Sequence, residues 1–355
     1  MRVLFITRKW PPAVGGMETY SVEMARELGE LCDLTVLKLP GREGGAPPSA
    51  ADLARFLGRC AGHLLCCGRR YDAVLLGDMV LFPLAAFARI GAPRARVVAT
   101  AHGTDVAYGL RKGLAPAVYR LFLRMIGLSR RLVNATIANS QATAGHCRRI
   151  GLDPVHVVPL GVRYVRDVPS EPPENYVLFV GRIDRRKGAG WFAREVMPLL
   201  PEEIRFKVAG TVWSEDDAAD IRACDRAEML GPVYGEDLAE LRRRALVVVV
   251  PNIPMDGRDF EGFGLTAVEA SADGAVLLAS RLDGIEDAVV GGETGFSLDA
   301  GHGTIWEQRI KEICHWDDDR RREFLRRSLR MTSSVYTWHR SAATTFSILA
   351  RTSRG

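Results

Sequence analysis

Two segments of the 355-residue chain concentrate groups able to do chemistry. The first is Gly181-Arg182-Ile183-Asp184-Arg185-Arg186-Lys187-Gly188, which follows the apolar run Val177–Val180. Arg182 and Lys187 there can hold a diphosphate, one by its planar fork and the other as a point charge. A solvated basic loop is the plainer alternative. The second is Phe260-Glu261-Gly262-Phe263-Gly264-Leu265-Thr266-Ala267-Val268-Glu269-Ala270. Glu261 and Glu269 stand eight positions apart, near two helical turns if a helix begins at about Gly264. Carboxylates accept hydrogen bonds from hydroxyls, as in ribose recognition by dinucleotide folds. The amides of Gly262, Phe263, Gly264 and Leu265 would meet a phosphate at the helix start. Sugar at one end, diphosphate in the middle and ribose at the other is the outline of a nucleotide-sugar.

Three further loops follow apolar runs. Thr7-Arg8-Lys9-Trp10-Pro11-Pro12 leads through Ala13 and Val14 to Gly15-Gly16 and a helix from about Met17. A Gly pair lets backbone approach a ligand, and the helix start offers N–H groups to an anion. No GxGxxG triplet of nicotinamide cofactor binding follows any strand. His102-Gly103-Thr104-Asp105 places an imidazole at a strand end, suited to hydrogen bonding or proton transfer near neutral pH. A structural histidine is the alternative. Asn139-Ser140 precedes a helix, and Ser140 reads equally well as a site residue or as an N-cap worth ~1 kcal/mol.

The elements that must carry these loops read as strand, helix, strand throughout. Expected strands are Val3–Thr7, Leu34–Leu39, Ala73–Gly77, Arg96–Ala101, Ala135–Asn139 and His156–Pro159. In the second half they are Tyr176–Gly181, Phe206–Ala209, Ala227–Leu230, Ala245–Val250, Ala275–Ala279 and Gly295–Leu298. The runs are continuous rather than alternating, as for parallel strands covered on both faces. The fold class is α/β, with two Rossmann-like doubly wound domains. Ligands of such sheets bind beyond the carboxyl ends of the strands, so a cleft between two facing sheets is the expected site. The domains are expected at 1–165 and 176–337, joined by a Pro-rich linker at 166–175 (RDVPSEPPEN).

Composition narrows the class. Hydrophobic residues are 47% and charged residues 26%, ordinary for a globular chain with a large core. The longest apolar stretches, such as Ala245–Pro251, are too short to span a bilayer. The start of the chain lacks a secretory pattern, so a cytoplasmic location is expected. The seven cysteines form no CxxC pair, which supports neither a disulfide framework nor a zinc site. Residues 1–164 carry 22 Lys and Arg against 11 Asp and Glu, and the remainder 26 against 32. The first half should therefore face something anionic. Nucleic acid is disfavoured, because no stacking aromatics interleave with its basic residues.

GRIDRRKG (Gly181–Gly188) and EGFGLTAVE (Glu261–Glu269), with PPAVGGME (Pro11–Glu18), HGTD (His102–Asp105) and ANS (Ala138–Ser140), resemble the family 4 retaining glycosyltransferases of GT-B fold. The resemblance spans nearly the whole chain, in order. It implies a UDP- or GDP-sugar as donor substrate, no cofactor and no metal. It implies that Gly16, beside Gly15, approaches the donor phosphate, and that His102 lies near the sugar and the reacting centre. Arg182, beside Gly181, and Lys187 would neutralise the diphosphate, and Glu261 would bind sugar hydroxyls. Glu269 would hold the ribose, and the amides of Phe263, Gly264 and Leu265 would contact phosphates. Ser140 belongs to the same set. The final helix, about Trp338–Ala350 within 338–355, would cross back onto the first domain. The chain departs from the family pattern at Val276, where Pro is usual, and at Gly284-Ile285-Glu286-Asp287, where Gly-x-Pro-Glu is usual.

The implied activity is retaining transfer of a sugar to an acceptor hydroxyl. A saccharide or polyprenyl-diphosphate-linked acceptor, as in exopolysaccharide or lipopolysaccharide assembly, is the family-level expectation. Arg111-Lys112 and Leu121–Leu132 (LFLRMIGLSRRL) combine apolar and basic residues at helical spacing. That suits peripheral contact with an anionic membrane on its inner face, or a core helix with a solvated basic side. A nucleotide-sugar epimerase of the same fold and a non-catalytic relative are the competing classes. The acidic run Asp317–Asp319 reads as solvated surface.

Overall fold

The computed structural model describes residues 1–13, 15–42, 48–255 and 260–351. Val14 of the Gly-Gly loop and the last residues of the 338–355 segment lie outside them.

Continuous burial of both faces explains the strands. In β1 (Arg2–Trp10) the residues Val3 to Ile6 have no exposed surface. The chain then runs through α1 (Gly16–Leu31), β2 (Asp33–Pro40), α2 (Ala50–Cys67), β3 (Ala73–Leu76), α3 (Leu84–Gly91) and β4 (Arg96–Ala101). It continues through α4 (Thr104–Ala107), α5 (Leu114–Leu128), β5 (Ala135–Ala138), α6 (Gln141–Arg149) and β6 (Val155–Val157). The six strands form one parallel sheet of order β2-β1-β3-β4-β5-β6. Its core joins Leu4, Ile6, Val74, Leu76 and Val97 to Phe56, Leu64, Leu123 and Ile126 from the helices.

The second sheet comprises β7 (Glu174–Val180), β8 (Arg205–Ala209), β9 (Ala227–Gly231), β10 (Ala245–Val250), β11 (Leu277–Ser280) and β12 (Phe296–Leu298). Its helices are α7 (Ala189–Glu195), α8 (Glu215–Arg222), α9 (Gly235–Arg244), α10 (Leu265–Ala272), α11 (Gly303–Cys314) and α12 (Asp318–Val335). The order is β12-β11-β10-β7-β8-β9, again parallel. Trp306, fully buried, meets Trp191 and Phe192 edge-on at the centre of the core beneath it. The last helix, α13 (Trp338–Ala350), groups with the first sheet, as do residues 260–263.

All twelve strands stand where apolar runs predict them, with displaced ends. β11 begins at Leu277, not Ala275, because Gly274 turns at φ 83° and the Ala275 amide still bonds the Ala270 carbonyl of α10. β6 stops at Val157, two residues short of Pro159, which has no N–H to extend the ladder. The chain passes from the first compact unit to the second after Gly161. Arg166, the first residue of the Pro-rich segment, is pinned inside the second unit. Its guanidinium meets both Glu236 oxygens at 2.8 and 2.7 Å and Asp273 at 3.2 Å. The Asp317–Asp319 run is exposed and starts α12, where Asp317 accepts from the Arg320 amide at 2.8 Å. α5 turns Leu123, Ile126 and Gly127 inward. Its outward residues are both apolar and basic: Leu114, Val118, Leu121, Met125 and Leu128 are exposed, and so are Arg120 and Arg124.

Arg321 on α12 is a buried cation whose guanidinium donates to the carbonyls of Ala245 and Leu246 at 2.9–3.1 Å. Burial lowers its pKa to about 10. Replacing it by Ala removes these donors from carbonyls that have no water to turn to. Arg321→Ala is expected to cost roughly 2–4 kcal/mol, against less than about 0.5 kcal/mol for the exposed Asp319→Ala. Thermal unfolding of both variants checks this, and equal melting temperatures would refute it.

Candidate functional site

In each sheet the strand order reverses at one place. In the first sheet this is between β1 and β3, and in the second between β7 and β10. Loops leaving adjacent strands there diverge to opposite faces and leave room for a ligand at the carboxyl edge.

At the first reversal β1 hands the chain to α1. Gly15 is the N-cap, in extended conformation and without a side-chain cap. Gly16 opens α1, and a Cβ built on it would meet no described residue within 4 Å. The described residues therefore do not require glycine there. The first intrahelical bond runs from the Thr19 amide to the Gly15 carbonyl, so the amides before Thr19 have no carbonyl of their own helix. Glu18 in this first turn pairs with Lys9 at 3.2 Å.

His102 follows β4 and is 6% exposed. Its ring stacks edge-on to Tyr20 at 4.5 Å, and Nε2 lies 2.8 Å from the Gly77 carbonyl that follows β3. A carbonyl only accepts, so Nε2 carries a proton toward it and Nδ1 is the ring nitrogen left over. Nδ1 has no hydrogen-bond partner among the described residues. The backbone around the ring is fixed by Asp105, whose carboxylate accepts from the His102 amide at 2.8 Å and the Met79 amide at 3.2 Å. Burial pushes the Asp105 carboxyl above its usual range, with His102 pulling the other way. Burial also pushes the Tyr20 hydroxyl up to about 12, so it stays protonated.

The segment 260–263 packs on this cluster. A Cβ at Gly262 would lie 2.0 Å from the His102 carbonyl, so only glycine fits. That same carbonyl accepts from Asn139 Nδ2 at 3.3 Å, and Thr143 Oγ1 donates to the Gly262 carbonyl at 3.3 Å. The structure thus brings His102, Asn139 and the 260–263 segment together, with Glu261 partly exposed and Phe263 buried. Ser140 is fully buried as the N-cap of α6. It accepts from the Thr143 amide at 3.0 Å, so its contacts are those of the capping alternative.

In the second sheet, Gly181 follows β7 and Arg182 is exposed beside it. The Arg182 guanidinium lies over the Trp213 ring at 4.7 Å and 3.9 Å from Asp184. Asp184 also accepts from the Lys187 amide at 3.0 Å, capping the turn Arg185–Lys187. Gly188 closes it at φ 77°, where a Cβ would strike the Pro251 carbonyl at 2.0 Å. The Ile253 amide bonds the Arg186 carbonyl at 3.0 Å. The cationic turn is thereby clamped to the chain leaving β10, the neighbouring strand across the reversal. That chain goes on to Gly264, the N-cap of α10, then Leu265 and, on the same helix, Glu269.

Sequence reasoning missed two groups here. Arg242 on α9 is buried and bridges two carboxylates, Glu269 at 2.7 Å and Asp273 at 2.9 Å. It holds Glu269 Oε2 and leaves Oε1 without a partner among the described residues. Only the inward-facing Ala239, one turn back on α9, distinguishes Arg242 from Arg243 and Arg244. Trp213, 68% exposed, is the second, and a lone aromatic in the loop after β8 gave no signal. Among the described residues no cluster of three or more His, Cys, Asp or Glu could hold a metal ion.

Comparison with known proteins bears on the same segments. Residues 14–166 match the family described as Glycosyltransferase Family 4, and residues 174–315 the one described as Glycosyl transferases group 1. A D-inositol 3-phosphate glycosyltransferase from Paenarthrobacter aurescens is 28% identical over 243 residues, 62% of this chain and 57% of that protein. One from Pseudarthrobacter chlorophenolicus is 30% identical over 192 residues, 51% of this chain and 43% of that protein. The chain thus spans about half the length of the curated relatives it matches. The crystal structure of Anabaena Alr3699/HepE in complex with UDP superposes with a TM-score of 0.73 at 17% identity, covering 99% of this chain and all of that one. At that identity the likeness speaks for the fold, GT-B. With both family matches following one another along the two sheets, the chain belongs to the family 4, group 1 glycosyltransferases.

Proposed function

We propose that the protein transfers a sugar from a UDP- or GDP-sugar to an acceptor hydroxyl with retention at the anomeric carbon. The observation that carries this reading is the second sheet's reversal, where Arg182 and Lys187 leave β7 and Gly264 opens α10 after β10. Two cations and helix-end amides at one edge suit a diphosphate. Glu269, held by Arg242 with one oxygen open, suits ribose hydroxyls. UDP in the Anabaena structure supports a nucleoside diphosphate as the common element.

In the reaction the bond from C1 to the diphosphate oxygen breaks, and the acceptor oxygen bonds C1 from the same face. The acceptor proton passes to the departing phosphate. Arg182, Lys187 and the amides of Phe263, Gly264 and Leu265 stabilise the charge gathering on the diphosphate, so this route asks for no metal and no cofactor. Gly16, beside Gly15, admits the phosphate close to the backbone. His102 and Glu261 hold sugar hydroxyls near the reacting carbon. The Gly181 turn presents Arg182, and Ser140 supports the site through its cap.

The acceptor we favour is a saccharide or polyprenyl-diphosphate-linked saccharide, as in exopolysaccharide or lipopolysaccharide assembly. α5 supports it. Its exposed Leu114, Val118, Leu121, Met125 and Leu128 follow one another at four- and three-residue steps, a single stripe. Residues 106–152 contain eight Lys and Arg and no Asp or Glu. An apolar stripe inside a wholly basic stretch suits peripheral contact with an anionic membrane. No helix of the described residues is long and apolar enough to cross a membrane.

Four outcomes are expected. UDP or GDP should raise the melting temperature, by the equivalent of ~2.7 kcal/mol at a hundred times Kd. Lys187→Ala should abolish that shift and slow transfer by about 10²-fold or more. A near-normal rate would sink the assignment. Gly16→Ala should leave the unliganded melting temperature unchanged, since no described residue crowds its Cβ, yet weaken nucleotide-sugar binding by about tenfold or more. Unchanged binding would remove Gly16 from the donor site. Finally, the protein should float with vesicles containing anionic lipid, and Leu114→Glu/Leu121→Glu should not. Flotation indifferent to lipid charge would overturn the membrane contact.

A further inference from the structure

Beside the exposed stripe, α5 and α6 enclose an open cavity of about 580 Å³ that the donor reading does not use. None of its lining residues is assigned to the donor. Its walls are mainly apolar, with Leu110 and Leu123 among them, and four arginines line it: Arg120, Arg124, Arg130 and Arg149. All four are exposed, and among the described residues none has a carboxylate partner. The absence of any acidic residue from 106 to 152 explains why. Cavities of this size hold drug-sized ligands, and their few polar groups set what is bound.

Two simple occupants fit badly. A bare anion would be served by the guanidinium groups but not by the apolar walls. A second copy of the chain would bring the same unneutralised basic stretch against itself. A molecule with a hydrocarbon chain and an anionic head satisfies both parts. The chain takes the apolar walls, and the arginines take the head as paired donors.

We infer that this cavity binds one lipid phosphate or diphosphate at a time, its hydrocarbon chain between α5 and α6 and its head among Arg120, Arg124, Arg130 and Arg149. This needs the membrane-facing part of the reading above and none of its donor part. The stripe would hold the protein at the surface, and the cavity would select a single lipid from it. The selection needs no covalent step.

The test is calorimetric titration of the whole chain with dodecyl phosphate below its micelle concentration. One molecule is expected per chain. Arg124→Gln/Arg149→Gln is expected to weaken binding by about tenfold or more, since it removes two charged donors from the head group. Leu110→Trp, which fills the cavity from a half-exposed position, should do the same by a different route. Both variants should keep the wild-type melting temperature. Dodecyl maltoside should bind about tenfold more weakly or worse, and inorganic phosphate should not compete. Phosphatidylcholine vesicles carrying a polyprenyl phosphate should displace bound dodecyl phosphate, and plain phosphatidylcholine vesicles should not. Equal binding of dodecyl maltoside, competition by inorganic phosphate, unaltered affinity in both variants, or failure of the loaded vesicles to displace would each overturn the inference. If the nucleoside diphosphate shift survives such a failure, the transferase reading stands without the lipid site. If the shift is absent and dodecyl phosphate still binds, the lipid site stands without the donor.

Discussion

Parallel pairing obliges each strand to pass the chain to a crossover before the next strand can align. Both sheets obey this at every connection, so all twelve strand ends that lead into loops point to the same edge of their own sheet. Everything chemical in the molecule depends on that. Gly15, His102, Asn139, Arg182 and Gly264 come from five different loops, and each stands just after a strand or at the start of the helix that follows one. The reversal in strand order then decides which of those loops have open space between them.

Space alone does not hold a side chain still. Around His102 the fixing is done by backbone: Asp105 takes its amide, Asn139 takes its carbonyl, and Gly262 lies against that same carbonyl without a side chain. Around Glu269 it is done by charge. Arg242 is buried between Glu269 and Asp273, and Asp273 is shared with Arg166. The loops of the first sheet are therefore held through steric exclusion and those of the second through ion pairing.

What could be read from the sequence follows from this division. Strands were legible because burial on both faces demands unbroken apolar runs such as Val3–Ile6 and Ala245–Val250. Gly188 was legible as a loop residue, but not as the one the Pro251 carbonyl excludes all others from. Arg242 was illegible, since three successive arginines look alike until α9 turns one inward. The outward face of α5 was read only in part. Leu and Met are written the same way whether they face a core or face nothing, and only the fold separates Leu123 from Leu121. The domain join was drawn from the Pro-rich composition of 166–175, but composition does not show that Arg166 already grips Glu236 and Asp273.

Trp213 carries one more consequence. Of the six tryptophans it is the one with a largely solvent-exposed ring, and its face is occupied by the Arg182 guanidinium. Indole emission responds to its immediate electrostatic surroundings, and the other tryptophans are wholly or mostly enclosed by protein. Any event that draws Arg182 toward an anion also uncovers this ring. The protein therefore contains an intrinsic fluorophore wired to one cation of its candidate site, and the occupancy of that cation can be followed optically with no label attached.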